Sequence, residues 1–383
     1  MGGWEASGRG GRRSPRGAKG EDRRRGGCRH AAVLPGGSRS LSRRAARLLP
    51  PLLAVAIFLI LGAAAFIGYR LELDRPTERS RTGDGLLRIS PGASLRTVAR
   101  DLSREGWIRS PLFVAQWGRV KGLDRAVFPG RYRLRRGWTA RRILDEIALG
   151  RVETTRVTIP EGWREAQIVR LLADSLEIGV RDLQAAVLDT AWVRSIGIPR
   201  GKLEGYLFPE TYIFPKEYDP RGALRRMVRE ADRRFDGSMR ERADAIGWSR
   251  DSVIVLASIV QAEAAKEREM PRIAAVFHNR LRHGWRLDAD PTVLYAIGRF
   301  SGPPRLSDLR VESPYNTYRA GGLPPGPIGN PGAAALRAVL WPDSMRDEFY
   351  FVADGSGEHI FTRTLGEHNR ARREARRSQG GVR

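Results

Sequence analysis

The chain has a single cysteine, Cys28, so it can build no intrachain disulfide framework, and thiols do not reveal its compartment. Histidine is scarce too. There is no HExxH, and His278 and His283 miss the i, i+4 spacing that sets two ligands on one helix face. Neither a metal nor a cofactor is expected. The absence of a GxSxG elbow and of a P-loop removes the serine-hydrolase and nucleotide-hydrolysing readings. No RNP-like aromatic motif, zinc-finger spacing or compact helix-turn-helix pattern accompanies the net charge of +25. Acidic residues are rare at the start, where residues 1–47 carry 13 Lys/Arg against 3 Asp/Glu in a Gly/Arg/Ser-rich run. That composition cannot bury a core and predicts a disordered tail, and no nucleic-acid partner is expected.

One long apolar run is present. Residues 48–69, LLPPLLAVAIFLILGAAAFIGY, hold no charge and are long enough to span a bilayer. Arg43, Arg44 and Arg47 stand just before it, whereas basic and acidic residues alternate after it. The bias predicts a cytoplasmic tail, a single pass through the inner membrane and an exported remainder. A cleavable signal peptide, cut near Ala63–Ala65, is the alternative; the long leading region and the extended apolar run oppose it. Anionic lipid is a candidate partner for the basic tail.

After a polar linker over residues 70–85, one pattern occurs three times. Gly92, Val98 and Leu102 recur at the same offsets as Gly137, Ile143 and Ile147, and as Gly162, Ile168 and Leu172. Each reads as a short strand, a glycine turn and an amphipathic helix, and two such units can share one sheet. The expected class is α+β, with a small LysM-like α+β module over 86–155 and a larger domain over 156–371. A basic tail follows at 372–383. Trp107, Trp117, Trp138 and Trp163 are candidates either for stacking on sugars or for the core.

In the larger domain, the stretch LASIVQAEAAKEREMPRIAAVFHNRL predicts an apolar helix ending in a carboxylate, Glu263, then a polar corner and a second helix opened by Pro271. Val260, Ile259 and Leu256 lie three, four and seven residues before Glu263, so the acid stands on the greasy face of its helix. Burial disfavours the charged carboxylate, which makes Glu263 a candidate proton donor; pairing with Arg280 is the alternative. Ser249 is the expected N-cap of that helix, and Thr292 that of a later one. Glu204 and Glu210 are isolated charges in KLEGYLFPETYIFP. Asp290, Tyr315, Asn316 and Tyr318 belong to polar, proline-rich segments suited to holding a hydroxylated ligand. A hairpin is expected from Phe349 to Arg363. Glu367 and His368 either cap the last helix or line a cleft.

LEGYLFPETY, ASIVQAEA, FHNRL, LDADPTVLYAIG, SPYNTY, GLPPGPIGNPG and GEHIFTRTLGEHN together resemble the endolytic murein transglycosylases of the YceG-like family. The resemblance runs from about Leu48 to Ala371. It implies an anchored lyase that cuts nascent peptidoglycan strands internally and leaves 1,6-anhydro-N-acetylmuramic acid ends. It also implies work alongside peptidoglycan synthases such as penicillin-binding proteins. The family's catalytic acid corresponds to Glu263. Many members carry two glutamates in this motif, but here the first position is Gln261; Glu210 stands where Asp is common. Glu204, Asp290, Tyr315, Asn316 and Tyr318 are the expected substrate-binding residues. The competing readings are a hydrolytic muramidase using Glu204 or Asp290 as base, and a non-catalytic wall-binding scaffold.

Overall fold

The computed structural model describes residues 40–123, 127–343 and 346–380, with side chains from residue 51 to residue 377. The tail expected over residues 1–39 lies outside them. Two units are distinguished, one ending at Ile67 and one beginning at Gly68. The first is carried by helix α1 (Ser40–Asp74), whose apolar side chains from Leu52 to Ile67 are exposed. Among the described residues it is the one helix long and apolar enough to cross a membrane. Such a segment suits lipid because a helix satisfies its own backbone polar groups. α1 begins at Ser40, so residues 40–47 are helical rather than tail; the run SLSRRAARLL is rich in good helix formers.

The second unit contains two hydrophobic cores. Leu73, near the end of α1, is fully buried in the smaller one. Thr77 then caps α2 (Glu78–Thr82), its hydroxyl accepting from Ser80 N at 3.2 Å. Ser80 is buried and donates to Trp138 O at 2.6 Å, and Asp74 pairs with Arg141 at 2.6 Å. The stretch expected as a linker over 70–85 is therefore folded. Its charges point outward while Leu73 and Ser80 point in.

Strand β1 (Gly85–Ile89) pairs antiparallel with β2 (Gly130–Leu134). Helices α3 (Leu95–Arg104), α4 (Pro111–Val120) and α5 (Ala140–Ala148) supply the rest of this core. The repeated pattern is real at the level of the turn. Gly92, Gly137 and Gly162 all adopt a left-handed φ, between 75° and 82°, which only glycine takes without strain. Two of the three strands share a sheet as expected, whereas β3 (Thr154–Thr158) pairs with β4 (Thr211–Pro215) from the KLEGYLFPETYIFP segment. Trp107 and Trp117 are core residues, at 1% and 7% exposure, so neither is a sugar platform.

The larger core is mostly helical. α6 (Glu165–Leu176), α7 (Val180–Leu188), α8 (Thr190–Ser195) and α9 (Pro220–Arg234) build one part of it, and α10 (Gly237–Ala245), α12 (Met270–Arg282), α13 (Asp290–Ala296) and α14 (Ala333–Leu340) pack on α11 (Arg250–Glu263). Every residue of α11 from Val253 to Val260 is buried, as expected of a helix that is apolar all round. Each fully buried aliphatic side chain there contributes about 1.5–3 kcal/mol. A hairpin of β5 (Tyr350–Ala353) and β6 (His359–Thr362) precedes α15 (Leu365–Gly380). α15 continues through the expected basic tail because Ala371 and Ala375 form a buried stripe on it.

Candidate active site

The position of Glu263 follows from how α11 is held at both ends. At its start, Ser249 caps the helix, its Oγ accepting from Ser252 N at 3.1 Å. Asp251, in the first turn, pairs with Arg200 at 2.9 Å and accepts from the Tyr206 hydroxyl. At its end, Ala264 turns to extended backbone and the chain enters the corner 266–269. Lys266 and Arg268 both pair with Glu358, and Glu269 accepts from His359 N at 2.8 Å. The corner is thus clamped to the β5–β6 hairpin, which fixes where the last turn of α11 can sit.

Two further bonds fasten α11 to the loop that precedes α14. Ser258 Oγ accepts from Ile328 N at 3.0 Å, and Gln261 Oε1 accepts from Gly332 N at 3.0 Å. A side chain at Gly332 would meet the Glu161 carboxylate and push it aside. Gln261 also hydrogen-bonds Glu161, whose carboxyl is raised by burial first and by the Glu267 charge, against that bond.

Beside the end of α11 lies a cleft of about 360 Å³, with Glu263, Asp290, Arg164, Gln167 and Phe300 in its walls. Glu263 is only partly exposed and receives no hydrogen bond from the described residues. Burial, reinforced by the Asp290 charge and opposed by Arg280, pushes its carboxyl up to about 8. Arg280 is not its salt-bridge partner: its guanidinium donates to Phe349 O at 2.8 Å and to Leu287 O. That removes the structural ion pair weighed for Glu263.

The other expected residues divide. Asp290 shares the cleft with Glu263, and its Oδ1 accepts from Tyr318 Oη at 2.7 Å, so Tyr318 acts through Asp290. Glu204 lies in the layer behind. Its Oε1 accepts from Glu165 N at 3.0 Å and from Asn330 Nδ2 at 3.1 Å, and Tyr295 Oη stands 3.5 Å from Oε2. Burial raises its carboxyl to about 8, with the Glu165 charge adding to the effect. Tyr315 joins this layer through its ring, 4.9 Å from that of Tyr295. Asn316 is corrected: it is fully buried, with Nδ2 donating to Leu309 O and Val311 O and Oδ1 accepting from Tyr318 N. It shapes the loop and has no atom left to face a ligand.

Three further expectations resolve. Glu367 caps α15, its Oε2 accepting from Arg363 N at 2.9 Å and Thr364 N at 3.3 Å. Thr292 lies inside the first turn of α13 rather than at its cap, its hydroxyl donating to Ala289 O at 2.7 Å. His278 and His283 each bond a backbone carbonyl, Val339 O and Asn279 O.

Sequence reasoning passed over two residues. Asn330 is fully buried and ties the site together: Nδ2 donates to Trp163 O at 2.8 Å and to Glu204, while Oδ1 accepts from Leu207 N at 2.8 Å. Its signal was an amide set between Gly329 and Pro331, where a plain turn needs none. Arg164 lines the cleft with its guanidinium carbon 5.0 Å from the Tyr295 ring centre and 4.7 Å from that of Phe300. No local pattern marks it.

Residues 87–374 match the YceG-like family. The chain belongs to that family. It is 31% identical over 332 residues to the endolytic murein transglycosylase of Bacillus subtilis strain 168, covering 82% of this chain and 90% of that protein. A protein of the same name from Streptococcus pneumoniae serotype 2 strain D39 is 25% identical over 346 residues, covering 81% of this chain and 62% of its own length. A solved YceG-like structure from Listeria monocytogenes superposes with a TM-score of 0.52 at 29% identity, covering 75% of this chain and 98% of that one. Within the YceG-like fold, the cleft offers one chemical capability above others. It holds a carboxyl that is still protonated near neutral pH, uncommitted by hydrogen bonds and open to a ligand.

Proposed function

We propose that this protein is a membrane-anchored endolytic lytic transglycosylase acting on peptidoglycan glycan strands, with Glu263 as its catalytic residue. The observation that carries the reading is the Glu263 carboxyl in the cleft, hydrogen-bonded to none of the described residues and pushed up to about 8 by burial. As an acid, Glu263 protonates the oxygen bridging N-acetylmuramic acid and N-acetylglucosamine, and that C1–O bond breaks. The carboxylate so formed then takes the proton of the same muramyl C6 hydroxyl while its oxygen closes on C1. The product is a 1,6-anhydro-muramyl end, no water is consumed and Glu263 is returned protonated. Because the nucleophile belongs to the reacting sugar, the closure has the entropic advantage of an intramolecular step.

A single carboxyl suffices for this route, whereas hydrolysis ordinarily needs a second one about 5–10 Å away as base or nucleophile. Glu204 does not suit that role: it lies outside the residues lining the cleft, and its Oε1 is committed to Glu165 N and Asn330 Nδ2. Asp290 shares the cleft and carries the second reading, a hydrolytic muramidase. In the lytic reading the Asp290 carboxylate holds Glu263 protonated and faces the positive charge that builds at C1. Tyr318 holds Asp290, and Glu204 and Tyr315 support the wall behind. The basic N-terminal side of α1 supports a cytoplasmic N-terminus and an exported cleft. Synthases that make the strands and anionic lipid are the proposed partners, strand termination is the proposed role, and the module over 86–155 is a candidate LysM-like glycan contact.

The test uses the full chain in detergent with un-crosslinked peptidoglycan and mass spectrometry of the products. Internal fragments with anhydro ends, one water lighter than reducing ends, are expected. Reducing ends instead would establish the muramidase, and intact strands the scaffold. Glu263→Gln is expected to fold normally and to lose activity by about 10²–10⁴-fold.

A further inference from the structure

Arg164 differs in its pairing from several other arginines of the larger core. Arg200, Arg234, Arg250 and Arg272 each pair with a carboxylate, and Arg280 spends its guanidinium on backbone carbonyls. Arg164 pairs with no carboxylate and gives its guanidinium to no carbonyl among the described residues. The Tyr295 and Phe300 rings lie beside its guanidinium instead, and Arg164 and Phe300 stand in the wall of the Glu263 cleft. Aromatic faces hold a guanidinium in place without neutralising it, leaving its N–H fork for another partner. The acid whose charge acts on it most is Glu204, itself largely protonated near neutral pH. Nearby, Gln167 lines the same cleft. Its Oε1 accepts from Arg164 N at 3.0 Å, which leaves its NH2 group as a further donor.

We infer that Arg164, with Gln167 beside it, is a subsite for a carboxylate on the substrate, and that this carboxylate belongs to the peptide borne by the sugar whose bond is cut. The assignment rests on the transglycosylase reading of the cleft. Its logic is geometric. Glu263 must reach the oxygen on C1 of the muramyl ring, and the peptide leaves the same ring from its C3 lactyl group. A cation in the same cleft wall therefore meets the peptide rather than the neutral glycan hydroxyls. A planar guanidinium matches a carboxylate through two parallel N–H bonds, which a lysine could not copy.

The experiment compares strands with native stem peptides, strands whose stem carboxylates are capped as methylamides, and strands freed of their terminal lipid diphosphate. Each is given to the full chain in detergent, and kcat/KM is read from product release. We expect the native strands to exceed the capped ones by about tenfold, equivalent to about 1.4 kcal/mol. In Arg164→Gln that ratio should fall towards one through a higher KM on native strands, and Arg164→Lys should keep part of it. Wild-type cleavage indifferent to capping overturns the subsite while leaving the transglycosylase reading intact. So does a preference that follows the lipid diphosphate. Absence of cleavage on every strand overturns both. The wild-type comparison needs no variant, so it stands even if Arg164→Gln misfolds.

Discussion

Tyr318 Oη donates to Asp290 Oδ1 at 2.7 Å, and Asp290 is the acid whose charge reinforces burial in raising Glu263. A phenol thus holds the carboxylate that adds to the effect of burial on Glu263. With Glu263 as the proposed acid, activity should persist below about pH 8 and fall as pH rises through that value. Asp290→Asn removes a negative charge, which lowers the Glu263 pKa. The alkaline limb of kcat/KM should move down by about 0.5–1 pH unit. A limb that stays in place would mean that the limb does not report Glu263. Tyr318→Phe keeps the Asp290 side chain and should move it less.

Glu204→Gln probes the layer behind the cleft. A carboxyl raised in the folded state binds its proton more tightly there than when unfolded. Its contribution to stability is full below its unfolded pKa and is lost as pH rises through the folded value near 8. The glutamine cannot ionise, so the variant should gain on wild type between pH 6 and pH 9, on the order of 1 kcal/mol in denaturant melts. A difference that is flat across those pH values would contradict the burial of this group.

Asn330→Ala leaves Leu207 N without its acceptor and takes one of two donors from each of Trp163 O and Glu204 Oε1. Unsatisfied buried polar groups cost about 1–3 kcal/mol each, with partial relief from relaxation. We expect a loss of about 2–4 kcal/mol in urea unfolding and reduced activity even where the variant stays folded.

Gln261→Glu places a second carboxyl two residues before Glu263. The acceptor for Gly332 N survives, but the donor to Glu161 is lost and two acids now face each other. The variant should resemble wild type at pH 5 and be less stable by about 1–2 kcal/mol at pH 8. Equal stability at both pH values would show that Glu161 is not coupled to position 261.

Glu263 was legible in the sequence because its signal is local: three aliphatic residues at helical spacing put an acid on the wrong face. The repeated glycine turns were legible for the same reason, since a left-handed φ is a property of one residue. The folded nature of 70–85 was hidden because two inward residues, Leu73 and Ser80, are outnumbered by charges. Asn316 was misjudged because a polar side chain in a loop looks alike whether it serves a ligand or the loop's own carbonyls. Arg164 was invisible, and Asn330 marked only by its place between Gly329 and Pro331, because the groups that give them meaning come from distant chain segments.

The bonds of Asn330 cross 123 and 167 residues of sequence. Contacts of that range carry a larger loop-closure cost than the local hydrogen bonds of α11, so they slow the folding of the wall that Asn330 ties together. In the transglycosylase reading proposed above, cutting competence therefore depends on the joining of distant chain segments and not on the helix that carries Glu263 alone.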